Sequence, residues 1–448
     1  MLKIYRGEIL HFLADPAKVD LEQSYQHFED GLLVIEDGKV KQLGEASSLL
    51  AALPDDVEVT HYQNGLIMPG FIDTHIHYPQ TEMIASYGEQ LLEWLENYTF
   101  PAERRFEDEA YAKDVAEFFL DQLLDAGTTT ALVFGTVHKA SVDAFFTVAQ
   151  QKKLRMICGK VLMDRNCPDF LTDTAETGFN DSKALIEKWH NTDRLQYAVT
   201  PRFAPTSSRE QLDKAGELLS LYPDVYMHTH LCENKKEIEW VQALFPENKG
   251  YLDVYDQSKL LGRRSVFAHG VHLHDEECQR LNETGSAIAF CPTSNLFLGS
   301  GLFNLKQAEA FDVNVGMGTD VGAGTSFSIL RSLNEAYKIQ QLRGEKLTPF
   351  KSFYLSTLGG AVALDLEDKI GNLEPGKEAD FIVLDYHATP LMERRIRQCK
   401  TLHEKLFVLS MLGDERNVCA THVLGEKVGE RVDEKVGEKA GEKAEGST

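Results

Sequence analysis

The chain has 448 residues, 43% of them hydrophobic and 26% charged, with a formal net charge of −24 at pH 7. This is the composition of a soluble globular protein with a large core, and its acidity excludes nucleic acid and anionic membrane surfaces as main partners, because both would repel it. Seven scattered cysteines without a CxxC pair, an N-terminal MLKIYRGEIL too polar for a signal peptide, and no run of ~20 apolar residues lead us to expect a reduced, cytoplasmic protein that spans no membrane.

Residues 1–68 alternate polar and apolar positions, and GLLVIEDGKVKQLG (31–44) predicts a hairpin around the Asp37-Gly38 turn. Helical periodicity is confined to 47–53, so this stretch reads as the N-terminal part of a small β domain. A different rhythm begins at Pro69. Eight short apolar runs recur, most followed by a helical stretch: 70–77, 128–135, 155–164, 195–203, 225–233, 265–270, 286–295 and 313–320. Apolar runs alternating with helices indicate buried parallel strands, and eight of them predict an α/β fold, a (β/α)8 TIM barrel spanning 69–368. An open doubly wound sheet is the runner-up, but it calls for a Gly-rich phosphate loop after its first strand, and none is present.

Helices are predicted over 327–342 and 349–363, and LEPGKEADFIVLD (373–385) returns to strand character. Residues 369–424 are expected to pair with the N-terminal strands, giving a small β-sandwich-like domain formed by both chain ends. The segment 425–448 is a near-repeat of Gly-Glu-Lys that cannot offset its ordering entropy, so it is expected to be a disordered tail.

The ends of the eight runs carry the chemistry: His75 and His77, Arg202, His228 and His230, His269, Asn295 and Asp320. In a barrel of this kind the C-terminal strand ends form the active-site face. His75-Ile76-His77 is the strongest signal, because residues i and i+2 of a strand share a face and both imidazoles point inward while Ile76 points to the helices. His228-Thr229-His230 repeats the pattern, one histidine serving as ligand and the other as a neighbour. Asp320, ending GMGTD, is placed to supply an oxygen ligand. Three imidazoles and a carboxylate suit zinc, with iron as the alternative. Such a cation lowers the pKa of water until hydroxide is available near neutrality. His269 ends the sixth run, and Glu233, three residues past His230, is positioned to shuttle protons.

PGFIDTHIH, HTHLCE, FAHG and GMGTD resemble the amidohydrolase superfamily in its single-metal deaminase branch. HYPQ (77–80), YGEQLLEWLENYTFPAERRF (87–106), MDRNCPD (163–169), TPRFAPTSS (200–208) and FCPTSNLFLGSGLF (290–303) resemble the guanine deaminase family within it. The resemblance covers about 31 to 413. It implies deamination of guanine to xanthine by a homodimer. It also implies that His75, His77, His230 (not His228) and Asp320 bind one Zn2+, or iron. Glu233 and Asp320 are implied to transfer protons, with His269 beside the water. The purine is implied to lie against His77, Tyr78, Pro79, Gln80, Arg202 and Phe203, in reach of His230, Glu233 and Asp320. The fourth run carries PRF and no lysine, which favours one metal over two, and Lys160 receives no role.

Guanine presents a ring carbonyl and a ring nitrogen as hydrogen-bond acceptors, and arginine only donates. Arg202 is therefore the expected selector of guanine over adenine, Gln80 suits an edge of mixed character, and Phe203 offers ring contact. By strand alternation Arg202 and Phe203 cannot both face inward unless the strand breaks, at Pro205. Three rival readings are weighed: a deaminase of adenine, cytosine, a pterin or an s-triazine on the same site; a non-catalytic scaffold, which intact ligands disfavour; and a flavin enzyme, for which GAGTS (322–326) is too weak a phosphate loop.

Overall fold

The computed structural model describes residues 2–52, 58–87 and 90–428. The first barrel strand, Phe71–His77, is followed in chain order by strands Thr128–Phe134, Arg155–Gly159, Gln196–Pro201, Tyr226–Leu231, Ser265–His269, Ala287–Phe290 and Asn314–Met317. Each of these eight is hydrogen-bonded in parallel to the next, and a short extension, Val161–Leu162, also pairs with the fourth. The alternation of apolar runs with helices thus produces the barrel expected. Strands such as TTTALVF are buried at every position, because the barrel interior covers one face and the helices the other. The helix Glu109–Asp125 is representative of the outer layer: Asp108 caps its first N–H groups, and Ala112, Val115, Ala116, Phe119, Leu120 and Leu123 form the buried stripe.

The seam between the first and eighth strands explains two polar residues inside an otherwise apolar run. The Thr74 hydroxyl donates to the Met317 carbonyl at 3.0 Å. Asp73 Oδ1 accepts from the backbone N–H groups of His75 and Thr319, both at 3.1 Å, and Oδ2 from the Thr319 hydroxyl. Beyond them Asp320 N donates to His75 O and His77 N to Val321 O, both at 2.9 Å. Asp73 therefore ties the strand carrying His75 and His77 to the segment carrying Asp320. Replacing it by Ala removes three hydrogen bonds in a fully buried site, and we expect a loss of about 3 kcal/mol in stability, read from the urea midpoint at constant m-value.

Both chain ends join one seven-stranded sheet, in the order Glu426–Val428, Val418–Val423, Phe381–Asp385, Val59–Pro69, Leu2–Phe12, Tyr25–Glu36, Lys39–Glu45. The hairpin at Asp37-Gly38 forms with both turn residues at positive φ, 51° and 79°, as a two-residue turn of this kind requires. Of the segment 373–385, Phe381–Asp385 forms the strand and pairs with Val59–Pro69, Phe381 opposite Pro69 and Asp385 opposite Gly65, while 373–380 lies outside any strand. The sheet also runs on to Val428, four residues into the stretch from 425 that was expected to lack order. There the Leu424-Gly425 turn lets Glu426–Val428 fold back on Val418–Val423, and the Tyr5 hydroxyl donates to Gly425 O. The backbone ladder, which needs no apolar side chains, supplies what composition could not indicate. The remainder of that expected tail lies outside the described residues.

Among the described residues no helix is long and apolar enough to cross a membrane. What most shapes the barrel mouth is the connection after the first strand. It is a series of short helical segments, among them Tyr78–Met83, Leu91–Trp94 and Phe100–Arg104, that folds over the C-terminal face.

Candidate active site

Strand alternation brings His75 and His77 to the barrel interior together, and the cross-barrel strand Tyr226–Leu231 brings His228 and His230 to meet them. His75 Nε2 and His77 Nε2 are 3.2 Å apart, and His77 Nε2 and His230 Nε2 3.3 Å. Asp320 Oδ1 lies 3.1 Å from His75 Nε2 and 3.3 Å from His77 Nε2. The outer nitrogens set the tautomers. His230 Nδ1 donates to the Arg202 carbonyl at 2.7 Å, and His75 Nδ1 pairs with His228 Nε2 at 2.8 Å. His230 therefore carries its proton on Nδ1 and turns its Nε2 lone pair inward, and the same tautomer in His75 and His77 brings three Nε2 lone pairs together.

Burial lowers the pKa of all four imidazoles, His77 to about 3, which keeps them neutral. Burial by itself would raise the Asp320 carboxyl, but any proton shared with the facing histidines, His75 first, sits on the imidazole side and holds Asp320 well below the usual range. Lone pairs and a carboxylate do not satisfy one another; a cation satisfies them all. A tetrahedron of ligands ~2.0 Å from its centre has edges of ~3.3 Å, and the contacts of His77 with His75, His230 and Asp320 and of His75 with Asp320 have this spacing. The donor set fits a first-row divalent metal.

Cys291 Sγ also approaches His75 and Asp320. Its thiol donates to Ala289 O, and burial raises its pKa well above the ordinary value, so it is a protonated neighbour and a poor ligand. Lys160 is buried elsewhere, its Nζ donating to Asp173 at 2.6 Å and to Val161 O.

Two flanking side chains complete the arrangement. His269 Nδ1 donates to Asn295 Oδ1 at 2.9 Å, which directs Nε2 toward Glu233 Oε2 at 3.5 Å and Asp320 Oδ2 at 3.8 Å. Glu233 is buried rather than on the surface, at 2% exposure. Its carboxyl is pushed up to about 8 by burial and then by the Asp320 charge, and Ser300 Oγ donates to its Oε1 at 2.9 Å. Its backbone is pinned as well: the N–H groups of Glu233 and Asn234 both donate to Glu237 Oε2, in the capping box of helix Lys235–Leu244. Cys232, His269 and Asp320 take positive φ angles of 49°, 74° and 53°. A non-glycine residue adopts this conformation at a cost, and its concentration at three strand ends re-aims the side chains that follow.

A cavity opens above this cluster, lined by His77, Gln80, Arg202, Phe203, His230, Glu233, His269 and Asp320 and roofed by Leu91, Trp94 and Leu95. Tyr78 and Pro79 do not line it, contrary to expectation. Tyr78 turns outward into the helical layer, donates to Ser141 O at 2.6 Å and packs on Phe106 and Phe145. The strand ends at His77 and the chain turns into a helical segment, so the next inward side chain is Gln80. The expected break at Pro205 is also earlier. The fourth strand stops at Pro201, which frees Arg202 and Phe203 to line the cavity together. The roof was missed in the sequence, although Leu91, Trp94 and Leu95 carry an i, i+3, i+4 apolar stripe. Also missed was Glu103, whose carboxylate accepts from Arg202 at 2.9 Å.

Residues 66–428 match the model of the amidohydrolase family. The chain belongs to the amidohydrolase family. Among relatives, this amidohydrolase is 56% identical to the guanine deaminase of Escherichia coli K12, over 95% of this chain and 98% of that protein. It is 35% identical to that of Homo sapiens over 95% and 96% of the two chains. Among solved structures, a guanine deaminase from C. acetobutylicum with bound guanine in its active site superposes with a TM-score of 0.86 at 29% identity, covering 96% of this chain and all of the other.

Proposed function

We propose that this amidohydrolase hydrolyses guanine to xanthine and ammonia. The observation that supports the reading is the gathering of His75, His230 and Asp320 around His77, each 3.2–3.3 Å from its Nε2, under a cavity walled by Arg202, Gln80 and Phe203. The guanine deaminases similar to this chain across its whole length support it equally. Those four residues would hold a divalent cation, zinc or iron, and when bound it supplies Lewis acidity that makes water nucleophilic near neutral pH.

The remaining steps belong to the protein. Asp320, held ionised, accepts the proton that water loses, with His269 Nε2 beside it to receive or return that proton. Glu233, carrying its proton at neutral pH because of its burial, donates to the ring nitrogen next to the amine-bearing carbon. The C–O bond forms as that nitrogen takes the proton. The C–N bond then breaks, with a proton delivered to the departing amine, so that one water is consumed and one ammonia released. Phe203 and the roof of Leu91, Trp94 and Leu95 exclude bulk water from the ring.

Arg202 donates to the carbonyl oxygen and ring nitrogen of guanine. Adenine offers an amine donor at the carbonyl position and meets a donor in the wall, an arrangement that leaves buried groups unpaired. Replacing Arg202 by Met is expected to lower kcat/KM for guanine by ~10³–10⁴-fold and to narrow the margin over adenine, both read from steady-state ammonia release. The reading as a whole is tested with a panel of guanine, adenine, cytosine, a pterin and an s-triazine and metal analysis of the same preparation. Turnover of another member with none of guanine overturns it. We further read the working form as a homodimer containing one metal per chain; a monomer in sedimentation would contradict that part alone.

A further inference from the structure

The short helix Phe100–Arg104, FPAER, presents Phe100 and Glu103 on one face, since residues i and i+3 are neighbours on a helix. Both are directed at Arg202. Arg202 Nη1 donates to Oε1 and to Oε2 of Glu103, each at 2.9 Å, and the guanidinium carbon lies 5.5 Å from the centre of the Phe100 ring. Glu103 is wholly buried and Arg202 nearly so, at 2% exposure. Glu103 Oε1 also accepts from the Gln80 amide nitrogen at 3.4 Å, while Gln80 Oε1 accepts from the Gly322 N–H at 3.2 Å. Arg202 and Gln80 line the cavity; Glu103 does not.

We propose that Glu103 is a positioning residue for purine selection, acting through Arg202 and Gln80, an inference that rests on guanine being the substrate. The pairing is end-on. Nη1 alone faces both Glu103 oxygens, so the N–H groups on Nε and Nη2 remain with no protein hydrogen bond among the described residues. A side-on, two-nitrogen pairing would have consumed the donors that a ring edge needs. The carboxylate also neutralises a buried cation, so the wall offers donors without net charge, which suits a neutral heterocycle. The same carboxylate settles the Gln80 amide, whose nitrogen points to Glu103 and whose oxygen points to Gly322. Phe100 stacks on the guanidinium from the same helix and limits its swing. One short helix thereby orients both polar residues of the wall without touching the ring.

The test uses the metal-loaded full chain and four variants: Glu103→Gln, Glu103→Asp, Arg202→Met and the double variant of Glu103→Gln with Arg202→Met. Ammonia release from guanine is followed alongside metal content and thermal midpoint. Glu103→Gln is expected to raise KM by about 30-fold or more while kcat changes by less than about threefold, with metal content unchanged. Glu103→Asp, which keeps the charge, recovers part of the KM. In the Arg202→Met background, adding Glu103→Gln changes kcat/KM by less than about threefold, because the main residue it acts through is gone and only the longer contact to Gln80 remains. An equal loss in both backgrounds, or an unchanged KM in Glu103→Gln, overturns the proposal while leaving guanine as the substrate. Should Glu103→Gln fail to fold, the double variant, which buries no unpaired charge, still decides it: a kcat/KM within about threefold of Arg202→Met supports the proposal, and one lower by about tenfold or more overturns it. A wild-type enzyme releasing no ammonia from guanine sinks both this inference and the reading beneath it.

Discussion

Glu233→Gln is expected to lower guanine turnover by ~10³–10⁴-fold while metal content stays at the wild-type level. The glutamine keeps the shape and still accepts from Ser300 Oγ, so the backbone anchored on Glu237 and the loop carrying Ser300 are undisturbed. What it cannot do is give up a proton and take it back. The wild-type carboxyl is buried beside Asp320, which raises it to about 8 and leaves it protonated at neutral pH. Proton transfer to the ring nitrogen is the step for which the described site offers no better-placed donor, since His269 is bonded to Asn295 through Nδ1 and faces Asp320 as well as Glu233 through Nε2. The measurement is kcat on guanine with parallel metal analysis. Near-normal kcat in a metal-replete variant would remove Glu233 from the mechanism.

Stripping the metal with a chelator is expected to reduce turnover to below ~10⁻⁴ of the loaded enzyme, because the acidity of water falls from a pKa of about 7 back to 15.7. Activity returns on adding zinc or iron back. Removal has a second consequence, in the protein itself. The His77 imidazole is left 3.2–3.3 Å from those of His75 and His230 and from the ionised Asp320. Their mutual repulsion is relieved only by protonation or by movement of the strand ends. The apo-enzyme is therefore also expected to melt at a lower temperature than the holoenzyme, by mass action on a ligand that binds only the folded state. Full activity in a stripped sample would refute the metal role outright.

Much of the site was legible because strand geometry is local. A period of two puts His75 with His77, and His228 with His230, whatever surrounds them. Eight apolar runs alternating with helices leave few ways to bury both faces of a parallel sheet. Where the periodicity ends, so does the legibility. Tyr78 was grouped with the pocket, but once the strand gives way to a helical turn at His77 its ring packs outward on Phe106 and Phe145. Arg202 and Phe203 were set against each other by an alternation that stops at Pro201. Glu103 sits in a segment whose charges look like those of any solvated helix, and only the fold brings it to Arg202. The strand Glu426–Val428 is built by backbone hydrogen bonds that composition does not record.

The order of residues along the chain alone determined the barrel, the two inward-facing histidine pairs, and the presence of a carboxylate at the end of the last strand. Each follows from side-chain direction and burial within one element, over a few residues. Only the tertiary structure decided that His230 joins the donor cluster while His228 supports His75, that Glu233 is buried, and that Arg202 is clamped end-on by Glu103. These depend on distances between atoms far apart in the chain, set by how strands stagger around a closed sheet and how the first connection folds back over its mouth.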